Sequence, residues 1–362
     1  MKIAILSFYS GLVDRGVETF VAAIAKRLGK THEVMVIQAG KVKTEQNYMQ
    51  IQIPYDFKPV EKNENAFLKK IMLDTNSRNI AGFSIKAISY LDSFQPEIII
   101  AANHGWQTLI TKFYTKLKKI KLVISAQVAW GREIKWNLLN HPDLYIVQSK
   151  KLEKKIRSIY PKQNVVTIYN GVDVPFFSKA SNNASKQIKV AIEELPKPII
   201  LCVAGHESYK RVADTIQAVA KLSAASLLVI GGSKQTQILG KKILGKRFFQ
   251  TKIAHEEMPA IYQKASVFTL VSTQGEGFGI AYLEALACNC PVVATDDNLR
   301  HEIIGKAGLY VKDPTNHIAY AQKLQQALDK NWHEIPRQRA TLFDWDSIAY
   351  AYECELQKLL YH

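Results

Sequence analysis

The run Ser272-Thr273-Gln274-Gly275-Glu276-Gly277-Phe278-Gly279-Ile280 is the part of the chain best suited to chemistry. An apolar stretch, Val267–Val271, leads into it, and Ile280–Ala287 reads as a helix leading out. Glycines at 275, 277 and 279 let the backbone approach a ligand closely. The helix start behind them offers unbonded N–H groups and a partial positive charge, which suits phosphate. Glu276 falls in the loop and Glu284 lies a turn into the helix, so their carboxylates address different parts of one elongated ligand. An acid near a phosphate-binding helix start commonly takes a ribose hydroxyl. Two more apolar runs end in polar loops. Ile199–Ala204 is followed by Gly205-His206-Glu207-Ser208-Tyr209-Lys210-Arg211, and Glu97–Ala101 by Ala102-Asn103-His104-Gly105-Trp106.

Alternating strands and helices are needed to position such loops, and the sequence supplies them. Strands are expected at Ile3–Phe8, Glu33–Gln38, Glu97–Ala101, Leu122–Ser125, Leu144–Gln148 and Val165–Tyr169. A helix over Val17–Leu28 shows apolar residues at Val17, Phe20, Val21, Ile24 and Leu28, with Gly29 as its C-cap. A second helix runs through Ile85–Phe94. The character changes near 170–197, where Asn170-Gly171-Val172-Asp173 is a turn and Pro196 and Pro198 precede a new strand. The pattern then restarts with strand Ile199–Ala204, helix Ala213–Leu222 and strands Ser226–Ile230, Val267–Val271 and Pro291–Ala294. The expected fold class is α/β, with two doubly wound domains facing each other across a cleft and ligands at the carboxyl ends of strands. The domains are 1–173 and 174–344, with a C-terminal helix over 345–362 packing back onto the first.

At 362 residues, 47% hydrophobic and 22% charged, the chain is an ordinary globular protein of about two domains. The four cysteines, Cys202, Cys288, Cys290 and Cys354, have neither disulfide-framework nor zinc spacing, so reduced thiols are expected. No membrane-spanning run is present in the sequence, and Met1–Tyr9 reads as a buried strand, because Asp14 and Arg15 follow it without a cleavage site. A cytoplasmic location follows as an expectation. The net charge of +16 is uneven: residues 1–175 carry 26 basic and 14 acidic side chains. That excess points to an anionic partner. Lys112-Phe113-Tyr114-Thr115-Lys116-Leu117-Lys118-Lys119-Ile120-Lys121 and Phe67-Leu68-Lys69-Lys70-Ile71-Met72-Leu73 mix lysine with apolar residues, as helices lying on an anionic membrane do. Other motifs fail. Asp344-Trp345-Asp346 opens a helix, and its aspartates are expected as caps rather than metal ligands. Gly11 and Gly16 lack the Lys-Ser/Thr of a phosphate loop, and no G-x-G-x-x-G follows the first strand. No metal-binding cluster stands out, so no metal and no cofactor is expected.

The Glu276–Glu284 spacing resembles the E-x7-E signature of the family 4 (group 1) retaining glycosyltransferases of the GT-B fold. Pro291-Val292-Val293-Ala294-Thr295 and Gly308-Leu309-Tyr310-Val311 are similar to the family's following strands, and Ile168-Tyr169-Asn170-Gly171-Val172-Asp173 to its interdomain turn. Gly16-Val17-Glu18 resembles its N-terminal helix opening, and Asp344-Trp345-Asp346 the start of its C-terminal helices. The resemblance implies that Glu276 and the backbone of Gly277, Phe278, Gly279 and Ile280 face the donor sugar and its diphosphate, and that Glu284 binds the nucleotide ribose. It places Gly16 and Lys210 at the donor diphosphate, with His206 where the family usually has Arg and Arg211 as a substitute cation. A cation about 4 Å from the charge that develops on the leaving diphosphate is worth up to roughly 4 kcal/mol at an effective dielectric near 20. The family commonly has a histidine where His104 stands, facing donor sugar or acceptor. A further family histidine is replaced by Gln127, on the acceptor side.

The chain thus reads as a metal-independent retaining glycosyltransferase. His104, Glu276 and Lys210 are its catalytic candidates. A UDP- or GDP-sugar is the co-substrate, and a glycan or lipid-linked molecule of the cell envelope the acceptor. The resemblance implies front-face attack, with the leaving phosphate taking the acceptor's proton and Glu276 positioning the sugar rather than acting as nucleophile. Attachment to the inner face of the cytoplasmic membrane would run through the basic N-terminal domain. Two alternatives share the fold: a nucleotide-sugar-binding protein that has lost catalysis, favoured by the His206 and Gln127 departures, and a nucleotide-sugar epimerase. Nothing but charge suggests nucleic acid, and no binding module for it is present.

Overall fold

The computed structural model describes residues 1–13, 16–42, 46–54, 67–68, 71–127, 130–181, 183–273 and 277–361, with the side chain of Gln187 excepted. Glu276 lies outside the described residues, as do Asp14, Arg15, Lys69, Lys70, Gln274 and Gly275. The chain divides into two compact units, Met1–Asn170 with Trp345–His362, and Gly171–Asp344.

The first unit is built on a seven-stranded sheet. Its strands are β1 (Lys2–Ser7), β2 (Glu33–Gln38), β3 (Met49–Gln52), β4 (Ile98–Ala101), β5 (Lys121–Ser125), β6 (Leu144–Val147) and β7 (Val165–Thr167). They run in the order β3-β2-β1-β4-β5-β6-β7, every pair parallel. A parallel sheet covered on both faces needs continuous apolar strands. Ile3, Ala4, Ile5 and Leu6 in β1 and Ile98, Ile99, Ile100 and Ala101 in β4 are accordingly all buried. One core gathers Leu6, Phe8, Ile37, Phe83, Leu91 and Ile99; another gathers Ile124, Ile134, Leu138, Tyr145, Val147 and Ile156. Each such side chain contributes about 1.5–3 kcal/mol by leaving water.

The helix Trp345–Tyr361 belongs to this unit. It buries Trp345, Ile348, Tyr352 and Leu356, and Tyr352 hydrogen-bonds Ser125 at 2.8 Å. Asp346 stands in its first turn, and there its carboxylate accepts from Arg27 of the helix Gly16–Leu28 at 2.6 Å. Gly29 follows the last residue of the helix Gly16–Leu28, and its N–H donates to the Ala25 carbonyl at 2.9 Å, with φ outside the left-handed region. Glycine is needed there for space instead: a Cβ would stand 2.8 Å from the Asn47 carbonyl oxygen.

The second unit carries β8 (Ile199–Ala204), β9 (Ser226–Gly231), β10 (Phe248–Thr251), β11 (Val267–Leu270), β12 (Val292–Thr295) and β13 (Gly308–Val311). The order is β10-β9-β8-β11-β12-β13, again all parallel. The order reverses between β1 and β4 in one sheet and between β8 and β11 in the other. In open parallel sheets these reversal points open the crevice where ligands bind. All four cysteines are free thiols, and burial pushes Cys202 up to about 12, so it stays protonated. Among the described residues no helix is long and apolar enough to cross a membrane.

Candidate functional site

In the second unit the loops after β8 and β11 leave neighbouring parallel strands at the same edge. They are tied together where Thr273 N–H donates to the Tyr209 carbonyl at 2.9 Å. The base of the β11 loop is fixed from beneath. Ser272 accepts from the buried Arg300 at 3.1 Å, and its carbonyl accepts from Thr295 at 2.8 Å. Tyr282 donates to the Leu270 carbonyl at 2.9 Å. Gly279 precedes the helix Ile280–Ala287 with φ +80°, and a Cβ there would meet the Tyr282 ring at 2.5 Å. Only glycine meets both demands without strain. Phe278 buries its ring, with Phe343 at 6.4 Å, so a ligand at this loop would meet its backbone. Residues 277–280 thus form a backbone turn feeding a helix start.

Glu284 is buried in that helix. Its Oε2 accepts from the Tyr262 hydroxyl at 2.8 Å, and its Oε1 lies 3.5 Å from His255 Nε2. Burial, reinforced by the Glu284 charge, holds the Tyr262 hydroxyl well above its ordinary range, so it remains a donor. His255 stacks on Phe176 with rings 5.8 Å apart and 8° from parallel.

The β8 loop holds the candidate cations. His206 is exposed and Lys210 half-buried, with Lys210 Nζ 5.3 Å from the Tyr209 ring centre. Arg211 takes a left-handed φ of 55° and donates through Nε to Asp214 at 2.8 Å. Asp214 also pairs with His317 at 2.9 Å. The guanidinium of Arg211 is therefore drawn into a neighbouring ion pair. Glu207 packs over Gly205, where a Cβ would stand 2.1 Å from its Oε2.

In the first unit His104 leaves the end of β4, at the reversal point beside β1. The loop is anchored by Phe8 N–H to Asn103 Oδ1 at 2.7 Å and by Asn103 N–H to Gln107 at 2.9 Å. Gly105, at φ 71°, turns the chain into the helix Trp106–Lys118. His104 Nδ1 is 2.6 Å from Asn137 Nδ2, and Asn137 Oδ1 accepts from Thr108 at 2.9 Å. The amide hydrogen fills Nδ1, so the neutral ring carries its own proton on Nε2. That nitrogen lies 3.9 Å from Glu133 Oε2. Burial lowers the His104 pKa, with the Glu133 charge opposing it, which favours the neutral form.

Gln127 is buried in a side-chain network. It donates to Ser125 at 3.0 Å and accepts from Asn170 at 2.9 Å and from Gln148. Its carboxamide braces the ends of β5 and β6 rather than pointing outward. Gly16 opens the helix Gly16–Leu28 and is exposed. Sequence reasoning missed Asn137, Glu133, Tyr262 and His255: the first three lie on helices without a glycine-loop signal, and His255 follows β10, a strand that the sequence did not reveal. Among the described residues no group of three His, Cys, Asp or Glu could hold a metal ion.

Residues 184–341 match the family model described as glycosyl transferases group 1, and residues 15–175 the model described as glycosyltransferase family 4. The O-antigen chain mannosyltransferase B of Escherichia coli is 36% identical over 100 residues, which cover 26% of each chain. Such matches reach from about a quarter to about half of the curated relatives' own length. Sucrose-phosphate synthase from Thermosynechococcus elongatus shares the fold over 99% of both chains, with a TM-score of 0.78 at 18% identity. The Anabaena protein HepE in complex with UDP and glucose does so over 99% of this chain and 100% of its own, at 0.74 and 17%. The fold is GT-B, and the two family models together account for both units. The chain belongs to the group 1 (family 4) glycosyltransferases.

Proposed function

We propose that the protein transfers a sugar, with retention of anomeric configuration, from a nucleoside-diphosphate sugar bound on the second unit to a glycan or lipid-linked acceptor bound on the first. One observation carries this most: the buried Glu284, held by Tyr262, sits on the helix that starts at Gly279, beside the loop bearing Lys210. A carboxylate for the ribose diol, N–H groups for the diphosphate and a cation for the leaving charge fit one elongated ligand. The UDP and glucose in HepE support that ligand class.

In the reaction the bond from the sugar C1 to the diphosphate oxygen breaks and a bond from C1 to the acceptor oxygen forms. The acceptor's proton passes to the leaving diphosphate. Lys210, His206 and the N–H groups of 277–280 stabilise that leaving group, and no divalent metal is needed. Glu276 positions the sugar; its role rests on the family resemblance. The O-antigen relative supports an acceptor of the cell envelope.

The acceptor is reached from the inner face of the cytoplasmic membrane. The helix Trp106–Lys118 supports this, since it turns Phe113 and Leu117 outward at 69% and 78% exposure, among Lys112, Lys116, Lys118 and Lys119. A panel of UDP- and GDP-sugars, assayed for nucleotide release with mannose- and glucose-terminated lipid acceptors in EDTA, tests the proposal. Acceptor-dependent release with an α-configured product from an α-donor is the expected result. Folded protein that binds a nucleotide sugar yet transfers to no acceptor would move the chain to a binding role.

A further inference from the structure

We propose that Glu133 and Trp136 complete a carbohydrate-binding subsite with His104, and that the acceptor presents a sugar ring there. This rests on the functional reading above and goes further, naming acceptor-binding residues and the chemistry they select.

The tautomer of His104 fixes what its Nε2 offers. Nδ1 is filled by Asn137 at 2.6 Å, so Nε2 carries a hydrogen. Glu133 Oε2 faces it from 3.9 Å, beyond a hydrogen bond. A donor and a carboxylate oxygen at that spacing bracket one hydroxyl. Two hydrogen bonds of about 2.8 Å meeting at one oxygen span roughly 4 Å when they make an angle near 90°. The hydroxyl oxygen accepts from His104, and its hydrogen goes to Glu133. A hydroxyl both gives and accepts, which matches this pair. A phosphate diester or a phosphate dianion has no proton to give Glu133 and would be repelled by its charge. The group selected here is therefore a sugar hydroxyl, and any phosphate of the acceptor sits elsewhere.

Trp136 supplies the apolar half of the site. It follows Glu133 by three residues on the helix Arg132–Leu139, so the two share a face. Its Nε1 donates to the Gly105 carbonyl at 3.0 Å, which fixes the half-buried indole against the residue after His104. Trp106 packs edge-on at 6.4 Å and donates its own N–H to the Met72 carbonyl at 2.6 Å. A rigid indole beside hydroxyl-binding groups suits the C–H face of a pyranose, since it buries apolar surface at little entropic cost. Glu133, in the first turn, also complements the helix start. That role alone would leave sugar binding unmoved by its replacement.

The test uses the full chain and the methyl α-glycosides of mannose, glucose and N-acetylglucosamine, with binding read by saturation-transfer NMR. Glu133→Gln keeps the shape of a half-exposed side chain, and Trp136→Phe keeps a ring without the N–H. Thermal melts check that both variants fold. At least one glycoside is expected to bind wild type, about tenfold more weakly to Glu133→Gln and several-fold more weakly to Trp136→Phe, with nucleotide affinity unchanged in both. Nucleotide binding without glycoside binding, or glycoside binding indifferent to both variants, overturns the subsite and leaves the donor site standing. Glu133-dependent glycoside binding in a chain that binds no nucleotide sugar supports the subsite and removes the donor reading instead.

Discussion

The Tyr262 hydroxyl donates to Glu284 Oε2 across 2.8 Å, both side chains being buried. This single contact holds a carboxylate inside the second unit and leaves its other oxygen, Oε1, toward His255. A hydrogen bond to a charged group is worth about 1.5–3 kcal/mol. Tyr262→Phe should therefore destabilise the protein by about that much in urea unfolding. It should also weaken nucleotide binding while leaving it measurable, since Glu284 remains but is no longer held.

Gly279→Ala tests the turn. The residue is left-handed, at φ +80°, and its new methyl would press on the Tyr282 ring at 2.5 Å. The backbone term alone costs about 1–2 kcal/mol. Relief would shift the helix start, so calorimetry should show nucleotide affinity falling at least tenfold. Gly245→Ala is the control: it is also at positive φ, with nothing within 4 Å of its Cβ, and should cost stability only.

His104 should leave a signature in the pH dependence of stability. Burial holds its pKa below the ordinary 6.5, so at intermediate pH the unfolded chain binds more protons there than the folded one. Stability then rises with pH through that window, and it is lost as pH falls from about 6.5 toward the lowered folded value. The slope from one group is at most about 1.4 kcal/mol per pH unit. Urea unfolding between pH 5 and 7.5 should show wild type losing more stability on acidification than His104→Gln. Equal profiles would mean that the ring is not buried as described.

The membrane proposal makes a separate demand. Phe113 and Leu117 are 69% and 78% exposed, so Phe113→Ser with Leu117→Ser should not disturb the fold. Each side chain inserted into a bilayer contributes about 1.5–3 kcal/mol. Sedimentation with phosphatidylglycerol vesicles should fall more than tenfold in the double variant, and nucleotide affinity should not change. Wild type that ignores such vesicles at low salt would contradict the proposal.

Apolar runs made the central strands legible, because parallel strands buried on both faces have no polar alternation. The edge strands β3 (Met49–Gln52) and β10 (Phe248–Thr251) escaped, since an edge strand is half-exposed and its sequence carries polar residues. The helix Thr75–Phe94 was foreseen only from Ile85; its polar first half is held by Asp74, which caps Ser77 N–H. The strand-end loops of the candidate site were legible through glycine and histidine. Their partners were not. Tyr262 lies 22 residues from Glu284, and Asn137 lies 33 from His104, so only folding unites them. Gln127 was named through the family resemblance alone; its amide partners Gln148 and Asn170 lie 21 and 43 residues away and were not legible.

The most direct test of the donor site is calorimetric titration of UDP, GDP and their sugars into wild type and Glu284→Ala, each with EDTA. The account predicts that one nucleotide series binds wild type in EDTA. It also predicts that Glu284→Ala, folded by its melt, binds that series at least tenfold more weakly. Glu284→Ala binding as tightly as wild type, or wild type binding only when a divalent metal is restored, would contradict it.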